Sequence, residues 1–594
     1  MGESGGIFVS SDAPVVQTQP LATEEHEEEN HKQKNHKQEK HKEEKHEEIQ
    51  VAQEETFKHS WRVWCVFLVL CLLSFISAID ATIVTTSLPT ITRDIGGSKE
   101  YVWVVNSFLF TSTVPQPLFG QISDIFGRRN PMIVAIALFA IGSGLAGGAQ
   151  SAGMLIAART IQGLGSGGLY VLSDIIVCDM VPPRHRGPYL SAILGTAAIG
   201  TTIGPIIGGA LALKNWRWIF WLNLPASGLG FLAIILILNV KYKRSPTWCH
   251  ALTRVDFLGN AIFIPSMVSI FFGLIMGGTR GYPWKSWKII LPLVLGVLGW
   301  IAFHIHQASP ICPEPSMPPR LFKHRTSSGG FIIIFLGAVI LQSINYFLPV
   351  YFQGVKGVTP LMSGVYFLAF ALAILPFGGM AGAFMSYTGL YIPLHWLGFA
   401  LNAIGIGLFS TLDENSSRAA CIGYQVIASG GTGIIFTATL PSTLAALPES
   451  DVAVATGTYS FVRSFGLVWG ATMASIAFNG QINSHVTSIS DQTIRNLLID
   501  GGAYAYASVQ HGGISELPEP IQGQVINIYV KALRVVWWIV TSISVLGFLC
   551  TFIEKHVELR KSHSTEYGLA DKEPTANSLE KGSQNVVSSV SEDT

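Results

Sequence analysis

Four groups of residues in this 594-residue chain have the type and spacing to handle protons or charge in apolar surroundings. Asp80 is a lone acid in the apolar stretch 62–87. A carboxyl group there loses the hydration that favours its charged form, which suits reversible proton binding. Capping or bracing a helix end toward the outer side is the competing role. Arg159 and Gln162 are three positions apart, so they share a helix face, with Gly163 beside them. An arginine at membrane depth is costly and faces either a cavity or a partner acid, so a structural salt bridge is the alternative. The string Gly120-Gln121-Ile122-Ser123-Asp124-Ile125-Phe126-Gly127-Arg128-Arg129 is a tight turn. Its glycines allow close approach, and its acid lies beside two arginines that could latch facing helix ends. A plain basic anchor is the other reading. Arg463 is a further charge well inside an apolar run, with no acid partner visible from the sequence.

Other residues could shape a path for a solute. Gly200, Gly204 and Gly208 repeat every four positions, with Pro205 and Gly209 interleaved and Gly195 upstream, a small-residue groove for close helix packing. Thr82, Asn106, Gln116, Gln162, Gln342, Asn345, Tyr346 and Gln425, together with Arg463, are candidates for lining a cavity. Such a lining suits amphipathic, ring-containing molecules better than sugars or ions. Enzyme chemistry is not expected. No phosphate-cradling G-x-x-x-x-G-K-S/T string occurs, so ATP is not the expected energy source. The seven cysteines form no C-x-x-C pair, and His304 and His306, two positions apart, fall on different sides of a helix. Neither a metal nor a cofactor is expected, and a net charge of zero gives no reason to expect nucleic-acid binding.

The elements that must position these residues follow from charge placement. Only 13% of residues are charged, about half the globular share, and they crowd into the first sixty residues, the last forty and short segments between apolar runs. Runs of about twenty uncharged residues match a membrane-crossing helix. About fourteen are expected: 62–87, 101–121, 131–149, 153–177, 189–212 and 219–240; then 256–277 and 287–306; then 329–352, 361–385, 390–411, 420–442, 453–478 and 533–553. Each must be a helix, because only a helix satisfies its own backbone in lipid. Basic residues at Arg128–Arg129, Arg184 to Arg186, Lys241 to Arg244 and Arg320 to Arg325 alternate onto one side with both termini, which the positive-inside rule makes cytosolic. The sequon at Asn415 then falls in an outer loop as a glycosylation candidate, and the longest outer loop is 479–530. The polar N-terminus predicts no cleavable signal peptide. Residues 1–58, with histidines every five positions from His26 to His46, read as a disordered, low-complexity cytosolic tail.

Four motifs carry a resemblance. Gly120 to Arg129 resembles the G-x-x-x-D-x-x-G-R-R/K loop signature of the major facilitator superfamily, and Arg159 to Gly165 its R-x-x-Q-G-x-G motif. Gly195 to Gly209 resembles the motif of its antiporter branch. Ile79 to Pro89 resembles the L-D-x-T-I-V-N-V-A-L-P string of the fourteen-span drug:proton antiporter family, departing at Ile79, Thr85, Thr86 and Ser87. Cys178 to Pro182, Trp216 to Phe220 and Phe461 to Gly466 look like fungal multidrug and toxin efflux members. The second half carries no good copy of the loop signature, so the latch is expected to be asymmetric, with Asp124, Arg128 and Asp174 or Asp179.

The resemblance implies an all-α polytopic membrane protein: an N-terminal six-helix bundle (59–245), two central extra helices (246–310), a C-terminal six-helix bundle (311–556) and a disordered cytosolic tail (557–594). It implies alternating-access export of drugs, toxins or secondary metabolites in exchange for protons, with Asp80 and Arg159 in proton coupling. The plasma membrane is the expected site, and the vacuolar membrane the alternative. Uptake of siderophores, vacuolar transport of basic amino acids and, more distantly, a non-transporting nutrient sensor are the competing functions.

Overall fold

A computed structural model describes residues 61–95, 101–212, 214–238, 247–279, 281–499, 501–507 and 513–560. The histidine-rich tail and the basic loop Lys241 to Arg244 lie outside the described residues. Thirteen described helices are long and apolar enough to cross a membrane. In the first half the helices are α1 (Trp61–Ile95), α2 (Tyr101–Thr113), α3 (Gln116–Phe126), α4 (Arg129–Gly147), α5 (Ala152–Met180), α6 (Arg186–Ala212) and α7 (Asn223–Ile237). Next come α8 (Phe257–Met276) and α9 (Trp287–Gln307). In the second half are α10 (Arg325–Val350), α11 (Pro360–Thr388), α12 (Ile392–Phe409), α13 (Arg418–Ala445), α14 (Val452–His485) and α15 (Ile521–Cys550).

The expected span 101–121 is the exception to one helix per crossing. It is broken between α2 and α3, where Pro115 and Pro117 remove two backbone donors and disfavour the helical turn before them. The Gln116 side chain donates to the Ser112 carbonyl at 3.0 Å, replacing one lost backbone bond. Counted as one crossing, α2 and α3 with the thirteen long helices give the fourteen expected. The ends differ more. α1 runs to Ile95, α14 to His485, and α15 begins at Ile521, so the expected loop 479–530 shrinks to 486–520 and holds two short helices, Gln492–Leu498 and Gly502–Ala507. Hydropathy marks only the part of a helix at membrane depth, and backbone hydrogen bonding continues past it.

In the first half α1 packs along α6, and α4 along α5, with α7 across α1 and α4. In the second half α12 packs along α13 and α10 along α14, with α15 against both pairs. The halves meet where α6 lies against α11 and α3 against α14. The extra pair α8–α9 wedges beside this seam. Phe271 sits 6.1 Å from Phe110 on α2 and stacks on Phe465 of α14 at 5.8 Å, while Phe263 meets Phe461 at 5.0 Å.

One end of the molecule carries the described basic loops and is tied shut. Arg184 donates to the carbonyls of Ser386 and Tyr387 across the halves at 2.7 and 2.6 Å. Arg320 grips Asp451 through two bonds of 3.0 and 2.9 Å. The chain beyond α15, expected to be free from 557, stays docked through Arg560: His395 and Glu554 pair at 2.6 Å in full burial, and Leu559 is buried. Short-range polarity gave no sign of this, because the segment's anchors are a buried histidine, the Thr326 and Tyr391 hydroxyls and the Leu447 carbonyl, all far away in sequence.

Candidate functional site

The halves enclose a cavity of about 2100 Å³, larger than the usual range for a small-molecule site. Its lining runs from Asp174, Tyr459 and Leu440, deep in their helices, to Gly209, Trp284 and Asn483 near the helix ends opposite the basic loops. Thr82, Asn106, Gln116, Gln342, Asn345, Tyr346 and Arg463 line it, as their residue types suggested. Gln162 and Gln425 do not. Gln162 is consumed by the knot around Asp80, and Gln425 bonds back onto the Cys421 carbonyl at 2.9 Å. A span's polar residues are legible from sequence, but the face each occupies depends on how its helix is rotated.

Behind the cavity wall lies a sealed polar knot. Ala81 and Thr82 face the cavity, whereas Asp80 is fully buried. Its carboxylate accepts from Arg159 Nη1 at 2.5 Å, Gln162 Nε2 at 2.8 Å and Asn223 Nδ2 at 2.7 Å. Gln162 also donates to Ser143 Oγ at 2.8 Å, and the Arg159 guanidinium stacks on the Phe108 ring at 4.0 Å. Three helices, α1, α5 and α7, therefore meet at one carboxyl group, and Ser143 of α4 joins through Gln162. Asp80 is not a helix cap, and the structural alternative for Arg159 and a partnered role for Asp80 are one arrangement. Asn223 and Ser143 escaped the sequence reading. Their only signal was polar residues in otherwise apolar helices, which many unrelated positions share.

At the closed end Arg128, almost fully buried, donates through Nε to Asp179 at 2.6 Å and through Nη1 to Asp124 at 2.8 Å. Of the two acids the sequence offered, Asp179 pairs with Arg128 and Asp174 does not. Gly127 has φ of 77°, a conformation that a β-carbon would strain, and it turns α3 into α4 so that Arg128 points back. Arg129 faces elsewhere and donates to the Ile235 carbonyl at 2.5 Å. Gly120 meets the other half, where a β-carbon would stand 2.9 Å from the Ala453 carbonyl and 3.2 Å from Gly457 Cα.

The glycine stripe of α6 divides by role. Gly200 and Gly204 touch the α1 backbone, where a β-carbon on Gly204 would come within 2.9 Å of the Ile79 carbonyl, one residue before Asp80. The Gly208 carbonyl accepts from Ser87 at 2.9 Å. Gly195 packs on Leu375 of the opposite half, while Pro205 and Gly209 line the cavity.

Arg463, for which the sequence offered no partner, reaches across the cavity floor to Asp174 of the first half at 3.2 Å. Beside them Ser464 donates to Gln116 at 3.2 Å. Asn415 is exposed in a turn between α12 and α13.

Residues 70–471 match the profile of the Major Facilitator Superfamily. The chain belongs to this superfamily. It is 46% identical over 528 residues to an MFS efflux transporter, aclA, of Aspergillus oryzae, covering 89% of this chain and 95% of that one. It is 42% identical to the MFS-type efflux pump LUC4 of a Fusarium species, covering 89% and 93%. Among solved structures, the human organic anion transporter MFSD10 (TETRAN) aligns over 82% of this chain and 99% of its own at a TM-score of 0.53 and 15% identity, a likeness of fold. The superfamily's two-bundle architecture accounts for the paired halves, and α8 and α9 are the additions to it.

A second cluster lies outside the cavity. Asp256 Oδ1 is 3.1 Å from His306 Nε2, and their ligand atoms with Cys312 Sγ lie within 4.8 Å of one another, a group that could hold a metal ion. The same carboxylate caps α8 by accepting from Gly259 N at 2.8 Å and from Gln307 at 2.5 Å. Burial and the Asp256 carboxylate push the Cys312 thiol up to about 12, so it stays protonated and donates to Asp256. The triad is a hydrogen-bonded clasp between the foot of α8 and the segment after α9, and His306 belongs to it.

Proposed function

We propose that this multi-pass membrane protein exports amphipathic small molecules, of the kind fungi make as secondary metabolites, in exchange for protons across the plasma membrane. The observation that carries the reading is the sealed Asp80 knot directly behind the wall of a large, mainly apolar cavity. A carboxylate whose neutralisation would free Arg159, Gln162 and Asn223 is a two-state element. Its protonation repartitions bonds among α1, α4, α5 and α7, of which α1 and α5 also line the cavity. The export direction is supported by similarity over nearly the full chain to proteins named efflux pumps.

The geometry fits the half of an alternating-access cycle in which the cytosolic end is shut. Arg128 holds Asp124 and Asp179, Gly120 abuts α14, and the cavity lining extends to the opposite end. In this reading substrate leaves from that side, a proton reaches Asp80, and the latch then opens. One pH unit supplies about 1.4 kcal/mol and the membrane potential about 2.3 kcal/mol per charge per 100 mV. Together they support accumulation ratios of tens- to hundreds-fold for one proton.

The test is accumulation of fluorescent amphipathic drugs in yeast lacking its own pumps, with wild type and Asp80→Asn at matched surface levels. Lower accumulation with wild type, abolished by a protonophore and by the substitution, is expected. Raised accumulation in wild-type cells would replace export by uptake.

A further inference from the structure

Arg128, Arg159 and Arg463 each pair with an acid, and they are not equivalent. Arg128 and Arg159 are about 1% exposed, and each is held by an acid at 2.5 to 2.6 Å and by at least one further acceptor at 2.7 to 2.8 Å. Arg463 differs on every count. Its side chain is 20% exposed, it lines the cavity, and its single hydrogen bond among the described residues is the 3.2 Å contact with Asp174. That length is loose for a charge-assisted bond, which settles near 2.7–2.9 Å. A guanidinium has five N–H donors in a planar fork, so most of this one's capacity is uncommitted. Asp174 is the more enclosed partner at 8%, and its Oδ2 also takes a 3.5 Å contact from Ser460. Among the cavity's described lining residues, Arg463 is the one cation and Asp174 the one anion.

We propose that Arg463 is the substrate's anion-binding group, and that the exported molecules are amphipathic acids carrying a carboxylate or a comparably acidic oxygen. Asp174 is the counter-ion that neutralises and orients Arg463 while the cavity is empty. An entering carboxylate takes the free edge of the guanidinium, where the planar fork offers two parallel N–H donors. The substrate's apolar rings then lie along Phe370, Ile374 and Leu467. Because Arg463 comes from one half and Asp174 from the other, filling the site also replaces a bond between the halves by a bond to substrate. The proposal rests on the export reading and narrows it.

The test uses the full chain in nanodiscs and three probes sharing one ring system: naphthylacetic acid, its primary amide and naphthylethylamine. Wild type is expected to bind the acid at least tenfold tighter than the amide. Arg463→Gln should bring the acid down to the level of the amide while leaving amide binding in place, which also reports an intact cavity. Arg463→Lys should keep part of the acid preference, and Asp174→Asn should leave it undiminished or raise it. Equal binding of acid and amide by wild type would overturn the proposal. Tightest binding of the amine, lost in Asp174→Asn, would overturn it in favour of a cation site. Protonophore-sensitive export of a drug panel without any acid preference would leave export standing and sink the anion site alone.

Discussion

Asp80 and Cys312 show how much a buried residue's partners decide. Asp80 has three donors, all from side chains, and its burial is complete. Removing one member of such a pair strands the other charge, at about 3–5 kcal/mol, whereas removing both is far milder. Asp80→Leu is therefore expected to lower the melting temperature sharply, and Asp80→Leu with Arg159→Leu should recover much of it. Equal loss in the double variant would show that the pair itself stabilises the fold. Asp80→Asn keeps an acceptor for Arg159 but not its counter-charge, so it should cost less stability than Asp80→Leu while still abolishing energised export. Cys312 gives a second residue-scale outcome. With its thiol near 12, the reactive thiolate at pH 8 is on the order of one part in ten thousand. Brief treatment with N-ethylmaleimide at that pH should label the exposed Cys249 and spare Cys312, as read by peptide mass spectrometry. Prompt labelling of Cys312 would mean the clasp around Asp256 is open.

At the scale of elements, close helix approach is the controlling feature. α1 and α6 meet through Gly200 and Gly204, and a β-carbon on Gly204 would press on Thr82 and the Ile79 carbonyl. Gly204→Val should force these helices apart beside Asp80. The expected result is a loss of a few kcal/mol with reduced export, measured as melting temperature and drug accumulation. Gly209 is in the same motif but has open space where a β-carbon would go, so Gly209→Ala should be nearly silent for stability. The broken crossing α2–α3 belongs here too. Pro115 and Pro117 could be read in the sequence, but the expected span ran through them because hydropathy does not register a missing donor.

Across the whole molecule, the end bearing the basic loops is closed by contacts of different strength. The Arg128 latch is buried and lies within one half, whereas Arg184 crosses to the other half through backbone carbonyls. Arg128→Gln should leave Asp124 and Asp179 facing each other without their cation and favour opening of this end. Ser191, buried between the halves where it meets Gly378, can report it. In a Ser191→Cys background, maleimide labelling of position 191 should rise several-fold when Arg128→Gln is added. Unchanged labelling would mean that Arg184 and the glycine contacts hold the end shut without the latch.

Much of this was legible in the chain alone, for definable reasons. Lipid leaves a twenty-residue apolar run no alternative to a helix, so the number, order and type of the crossings followed from composition. Local spacing placed Arg159 and Gln162 on one face and put Asp124 near Arg128, because a helix carries side chains three or four apart to the same side. The rest depended on distances that sequence separation hides. That Asp80 and Arg159 are one ion pair, that Asn223 and Ser143 complete it, and that Arg463 meets Asp174 are results of helix rotation and of which helices are neighbours. The same rotation turned Gln162 and Gln425 away from the cavity and brought Glu554 against His395. Periodicity fixes which residues share a face; only packing decides what that face meets.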